Sequence, residues 1–150
     1  MISKDAYRLF SYFGQQCTLV NNIESYVASK PNKIFIMIGT NDVLRGLPGD
    51  VMDNISLIID KIHNVSPTTL IFIESILPVQ WADKCAIIES LNIQIQSICS
   101  AKKITFIPLY SLFKDNSTVI NWAYYQSDGY HLTEAGYQVW ETAIGGYIFS

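Results

Sequence analysis

Apolar positions along the chain recur in two alternating rhythms. Leu19, Ile23 and Val27, with Tyr26 beside the last, share one face at helical spacing and predict a helix that stops before Pro31. Lys33 to Ile38 then reads Lys-Ile-Phe-Ile-Met-Ile. Its consecutive, β-branch-rich apolar run predicts a strand buried on both faces. That strand runs straight into Gly39-Thr40-Asn41-Asp42. Val51, Ile55, Ile58, Ile59 and Ile62 predict a second helix, with Asp50 and Asp53 near its positive end and His63 near its other end. Leu70 to Ile73 is a second buried strand, ending at Glu74-Ser75. Pro78 to Asp83 is a loop carrying Trp81. Ile88, Leu91, Ile95 and Ile98 mark a third helix, whose C-terminal end Lys102 and Lys103 favour. Ile104 to Ile107 is a third strand, stopped by Pro108. Tyr110 to Tyr125 is irregular, anchored by Leu112, Phe113 and Trp122. A last helix starts at Thr133-Glu134 and turns Ala135, Val139, Trp140, Ala143, Ile144 and Tyr147 to one side. Lys4 to Phe13 is rich in aromatics but has no assignable period, and Gly14 breaks it.

Helices alternating with short, continuously apolar strands imply a parallel sheet sandwiched by helices. Ligands of such sheets bind beyond the carboxyl ends of the strands. Asn41 and Ser75 lie just past two of those ends. The stretch Asp128-Gly129-Tyr130-His131 precedes the last helix and can reach the same rim. It sets a carboxylate three residues before a histidine on a glycine-containing turn. A general base in acyl transfer needs that arrangement, because the carboxylate fixes the imidazole tautomer and stabilises the imidazolium that forms. The bland reading of the same residues is a turn capping a terminal helix. Convergence with Asn41 and Ser75 on one rim favours catalysis.

Composition narrows the choice further. The chain has 150 residues, enough for one domain spanning 1–150, and is 49% hydrophobic and 15% charged. A net charge of -3 supplies no basic footprint for nucleic acid. No apolar run approaches the roughly 18 residues of a membrane-spanning helix. The first ten residues contain Lys4, Asp5 and Arg8 and no signal-peptide core, which reads as cytoplasmic for the chain as given, with a secreted full-length parent as the alternative. Cys17, Cys85 and Cys99 are odd in number and widely spaced, which fits small buried side chains in a reducing compartment. No cluster has metal-ligand spacing and no strand leads into a glycine-rich phosphate loop, so neither a metal nor a nucleotide cofactor is expected.

The strand leading into Gly39-Thr40-Asn41-Asp42, taken with Asp128-Gly129-Tyr130-His131, resembles the SGNH hydrolases, also called the GDSL esterase/lipase family. The resemblance runs in register from about Pro31 to Tyr147 and is supported by Ser75-Ile76-Leu77-Pro78, Asn92 and Gly136-Tyr137. It implies a three-layer α/β/α flavodoxin-like fold and a serine esterase acting on small-molecule acyl esters, with short-chain or O-acetyl groups on carbohydrate or lipid foremost. It also implies roles. His131 is the base, Asp128 orients it, and Asn41 donates its side-chain amide to the oxyanion. Asp42 is structural, bonding loop amides behind Asn41. Gly14 is the candidate for a second, backbone oxyanion donor, although Gln15, Gln16 and Cys17 replace the family's usual residues after it.

The family's nucleophile belongs to a Gly-Asp-Ser motif at the end of the first strand, and this sequence contains no Gly-Asp-Ser. Gly49-Asp50 is followed by Val51. Ser3 and Ser11 follow no recognisable buried strand, and Ser75 falls in the family's middle block. No nucleophile is therefore assigned. The missing strand should leave Lys33 to Ile38 as an unpaired edge, open to self-association. A truncated esterase, a degenerate homologue and a site completed by another chain all fit, the first best. The competing function is a non-catalytic carbohydrate- or acyl-binding remnant, with Trp81, Trp122, Tyr124, Tyr125 and Tyr130 available to stack on sugars. Packing is the favoured reading of those five aromatics.

Overall fold

The computed structural model describes residues 7–11 and 16–150. Four parallel strands form one sheet in the order β1 (Tyr7–Ser11), β2 (Lys33–Met37), β3 (Leu70–Glu74) and β4 (Thr105–Ile107). The helices between them are α1 (Gln16–Val27), a short α2 (Thr40–Leu44), α3 (Asp50–Val65) and α4 (Ala82–Lys102). After β4 come α5 (Tyr110–Phe113), a 3₁₀ turn (Trp122–Tyr124) and α6 (Glu134–Ile148). The helices and strands predicted from periodicity therefore form, with ends shifted by a few residues.

Alternation along the strands separates two cores. Ile34, Ile36, Ile71 and Ile73 belong to one face, with Leu19 and Ile23 of α1, Ile55 and Ile59 of α3, and Ile88 and Ile95 of α4. Phe35, Met37, Phe72 and Ile107 belong to the other, with Phe113 of α5 and Ile144, Trp140 and Tyr147 of α6. Phe35 and Phe72 stack across neighbouring strands at 4.6 Å. Lys33, where β2 begins, donates to the Tyr147 and Ile148 carbonyls at 2.8 and 3.2 Å, and its charge complements the negative end of α6. The result is the three-layer α/β/α arrangement.

One expectation is overturned. β2 is not an edge, because β1 pairs with it in parallel from Tyr7↔Lys33 to Ser11↔Met37. The neighbour's place beside β2 is filled by a segment too rich in aromatics to be read by period. Ser11 thus does end a strand, level with Met37 and two residues short of Gly39. Among the described residues, the sheet's outer strands are β1 and β4.

Candidate functional site

The Asp128–His131 turn is built by local hydrogen bonding. Asp128 Oδ1 accepts from the Tyr130 and His131 amides at 3.2 and 3.0 Å, while Asp128 Oδ2 lies 2.6 Å from His131 Nδ1. Gly129 turns the chain at φ +71°, a left-handed value that costs glycine little. The turn is closed by Gly129 N–H donating to Gln126 O at 2.9 Å and Gln126 N–H donating to His131 O at 2.8 Å. Bonding by His131, through its ring and then its amide, holds the Asp128 carboxyl below the usual carboxylate range. In the tautomer with its proton on Nδ1, His131 donates that proton to the carboxylate and leaves Nε2 as the acceptor nitrogen.

α6 begins directly after this turn. Thr133 caps it by accepting from Gly136 N–H at 3.2 Å and ties it back by donating to Ala123 O at 3.0 Å. Gly136 has a packing reason, since a Cβ there would stand 2.3 Å from the Tyr124 carbonyl.

The second ingredient follows β2. Gly39 takes φ 117° and launches α2, so Asn41 sits in the first turn of a five-residue helix rather than in a plain loop. Asn41, Trp81 and Tyr130 line one cleft of about 460 Å³, together with Leu44, Arg45, Asp83 and Lys84. Tyr130, whose ring is 4.2 Å from that of its neighbour His131, carries this turn to the edge of the Asn41 cleft; His131 itself is not among the residues lining it.

Asp42 departs from expectation. The loop amide of Leu47 bonds the Asp42 backbone carbonyl at 2.8 Å, and the carboxylate Oδ2 is buried without a hydrogen-bond partner among the described residues. Burial pushes this carboxyl up from its ordinary value, against the opposing pull of its own amide and of Arg45.

Between the two turns runs a strap, residues 75–80, and it explains the supporting motifs. Ser75 Oγ accepts from the Leu109 and Tyr110 amides at 2.9 Å each, which commits that hydroxyl to structure. Asn92 pairs both ways with the Ile76 backbone, at 2.8 and 2.9 Å. Tyr125 donates its hydroxyl to Pro78 O at 2.7 Å. Cys85 Sγ accepts from Val79 N–H and donates to Val79 O. Cys85 and Cys99 are buried and unpaired by disulfide.

The structure also sorts the five aromatics. Tyr125 is core and Tyr124 packs edge-on against Phe113. Trp122 is exposed on the 3₁₀ turn, and only Trp81 and Tyr130 reach the cleft. Gly14 lies outside the described residues. Among the described residues no His, Cys, Asp and Glu gather into a metal-binding group, and no helix is long and apolar enough to cross a membrane.

Two groups escaped the sequence reading. Glu74 is 2% exposed and accepts from the Trp140 indole at 2.7 Å, and burial pushes its carboxyl up to about 7. Gln80 binds the Asp128–Gly129 peptide. A lone glutamine in a loop carries no periodic signal. A glutamate ending an apolar strand does carry one, as the charged exception in a buried run.

The chain matches the GDSL-like Lipase/Acylhydrolase family over residues 13–139. No match was found among curated proteins. Among solved structures it is similar to a candidate platelet activating factor from Streptococcus pneumonia, at 28% identity and a TM-score of 0.78, covering 90% of this chain and 68% of that one. A family 3 carbohydrate esterase from Clostridium thermocellum is similar at 26% identity and a TM-score of 0.66, covering 91% and 67%. A GDSL-like lipase from Bacteroides thetaiotaomicron shares the fold at 23% identity and a TM-score of 0.76, covering 91% and 71%. By its match across most of its length, on a fold those structures share, this chain belongs to the GDSL-like lipase/acylhydrolase family of ester hydrolases.

Proposed function

We propose that the chain carries the acid–base and oxyanion elements of a serine esterase for short acyl groups, O-acetyl esters of carbohydrate or lipid included. His131 is the base, oriented by Asp128, and Asn41 supplies the oxyanion amide, with the Gly14 amide as its backbone counterpart. The observation that carries this reading is the 2.6 Å Asp128–His131 pair on a turn that meets the Asn41 cleft. In the reaction His131 takes the proton of an attacking hydroxyl and later returns it to the leaving alkoxide. Asn41 offers its N–H to the oxygen that becomes negative, a contribution worth on the order of 100-fold to 1000-fold in rate. Trp81 and Tyr130 form an aromatic wall suited to the alcohol part of the ester, a sugar ring included.

No Gly-Asp-Ser is present, so this chain acting alone lacks the family's nucleophile and is expected to be inactive. That absence, with Trp81 41% exposed at the cleft, favours one second reading: a remnant that binds acyl or carbohydrate ligands without turnover. Hydrolysis of p-nitrophenyl acetate tests both, with His131→Ala, Asn41→Ala and Ser11→Ala in parallel. Ser11 is included because it ends β1 beside β2. Wild type no faster than the uncatalysed reaction supports the missing nucleophile. An acyl-enzyme burst abolished by His131→Ala and Asn41→Ala would mean that a serine serves after all, and mapping the acylated residue would identify it. Turnover indifferent to His131→Ala would sink the assignment of the base. For the binding reading, Trp81→Ala should abolish affinity for an acetylated methyl glycoside while His131→Ala leaves it intact.

A further inference from the structure

The strap ends at Gln80, and Gln80 is where it meets the Asp128–His131 turn. Its backbone N–H donates to Gly129 O at 2.9 Å, and its side-chain Nε2 donates to Asp128 O at 2.8 Å. Two donors from one residue thus hold two successive carbonyls at the centre of the turn. The contact is close. A Cβ on Gly129 would stand 2.6 Å from Gln80 Cβ and 2.7 Å from Gln80 Cγ and Cδ, so the bare glycine lets the strap and the turn touch.

Gln80 itself is firmly seated. Residues 71–79 are buried without interruption, and Ile76, Pro78 and Val79 are each bonded by a side chain of another element: Asn92, Tyr125 and Cys85. The bonds within the turn are short-range and the Asp128 side chain is 37% exposed, whereas Gln80 reaches it from a buried segment 48 residues away. The turn's orientation relative to the sheet is set from outside.

We propose that Gln80 is the positioning residue of the Asp128–His131 pair, clamping the 128–129 peptides so that the carboxylate presents Oδ2 to His131 Nδ1. This rests on the reading of that pair as the acid–base element. Gln80 acts through Asp128 and touches no reacting atom. Rotation of either carbonyl away from Gln80 would swing the carboxylate off the imidazole, and with it the preference for the Nδ1–H tautomer.

The test is ¹⁵N-imidazole NMR on the full chain, which has only His63 and His131, assigned with His131→Ala. Wild type should show His131 as the Nδ1–H tautomer with a low-field Nδ1 proton. Gln80→Met keeps the length of the side chain and removes the donor. It should lose the low-field proton and mix the two tautomers, with His63 and the dispersed amide spectrum unchanged. Gln80→Ala should do the same, and Gln80→Met remains decisive if the alanine variant fails to fold. Retention of the wild-type tautomer in a folded Gln80→Met chain would overturn the proposal. So would a wild-type His131 without a tautomer preference. The readout needs no turnover, so turnover indifferent to His131→Ala would sink the reading of the pair as the acid–base element, while a Gln80-dependent tautomer would leave the positioning role standing. In any sample that turns over p-nitrophenyl acetate, Gln80→Met should lower kcat roughly 10-fold to 100-fold at unchanged KM.

Discussion

The two turns that meet at the cleft are held in opposite ways. Asp128–His131 is wired by side chains: a carboxylate serving two amides and a ring, a threonine cap behind it, and a strap pinned by Asn92, Tyr125 and Cys85. Gly39–Leu44 is held by backbone. One glycine at φ 117° starts it, the Val43 and Arg45 amides bond carbonyls within it, and its buried carboxylate oxygen finds no partner among the described residues. The two carboxyls record the difference. Asp128 is pulled below its ordinary value by its donors, and Asp42 is pushed above its own by burial. On the proposed roles, the base must keep one orientation against a moving proton, and several directional bonds give the Asp128–His131 turn that. On the same proposal, the oxyanion amide of Asn41 is placed by the backbone of the short helix α2.

The contrast can be broken first at the strap. Asn92→Ala strips partners from the buried Ile76 N–H and C=O, at about 1–3 kcal/mol for each group. Chemical denaturation should show a loss of a few kcal/mol, and the His131 low-field proton should weaken with it. A loss below 1 kcal/mol would mean that the strap is not what steadies the base.

The next effect depends on pH and lies behind the same side. Glu74 has a folded value of about 7 against an ordinary 4.5, so its ionisation opposes folding as pH rises through that window. At pH 8 the penalty is about 3 kcal/mol, and near pH 4 it vanishes. Glu74→Gln keeps an acceptor for the Trp140 indole. It should therefore stabilise the chain at pH 8 by up to that amount and have no effect near pH 4. A pH-independent effect would refute the assignment.

Smaller changes sharpen the other side. Gly39→Ala forces a side chain into φ 117° and should cost about 1–3 kcal/mol in denaturant midpoint, with the Asp128–His131 signature intact. Asp42→Asn should have the smallest effect and the opposite sign. The folded value of Asp42 lies above 3.8, so its ionised form opposes folding at neutral pH. The asparagine should be the more stable at pH 7 and lose that gain as pH falls below the ordinary carboxylate range. A destabilising Asp42→Asn would restore the structural role that the family resemblance implied.

Legibility followed the same divide between local and distant causes. The His131–Asp128 pair was readable because its partners lie three residues apart and the turn builds itself. β2 and β3 were readable because strands buried on both faces must be continuously apolar. β1 was missed because mixed aromatic and polar residues carry no period, and its pairing with β2 depends on a partner some twenty-six residues away (Tyr7↔Lys33). α2 was missed because five residues are too few to repeat a helical pattern.

By itself the sequence determined the alternation of helix and strand, the family, and the residue types of the candidate site, since each is written in spacing or in a short motif. The absence of a Gly-Asp-Ser is equally a fact of sequence. Only the tertiary structure decided that β2 is flanked on both sides, that Trp81 and Tyr130 of the five aromatics face the cleft, that Glu74 is buried against Trp140, and that Gln80 holds the turn 48 residues downstream. Such facts depend on which distant groups share a volume. Burial, a raised carboxyl pKa and a cross-chain hydrogen bond exist only once the layers have packed.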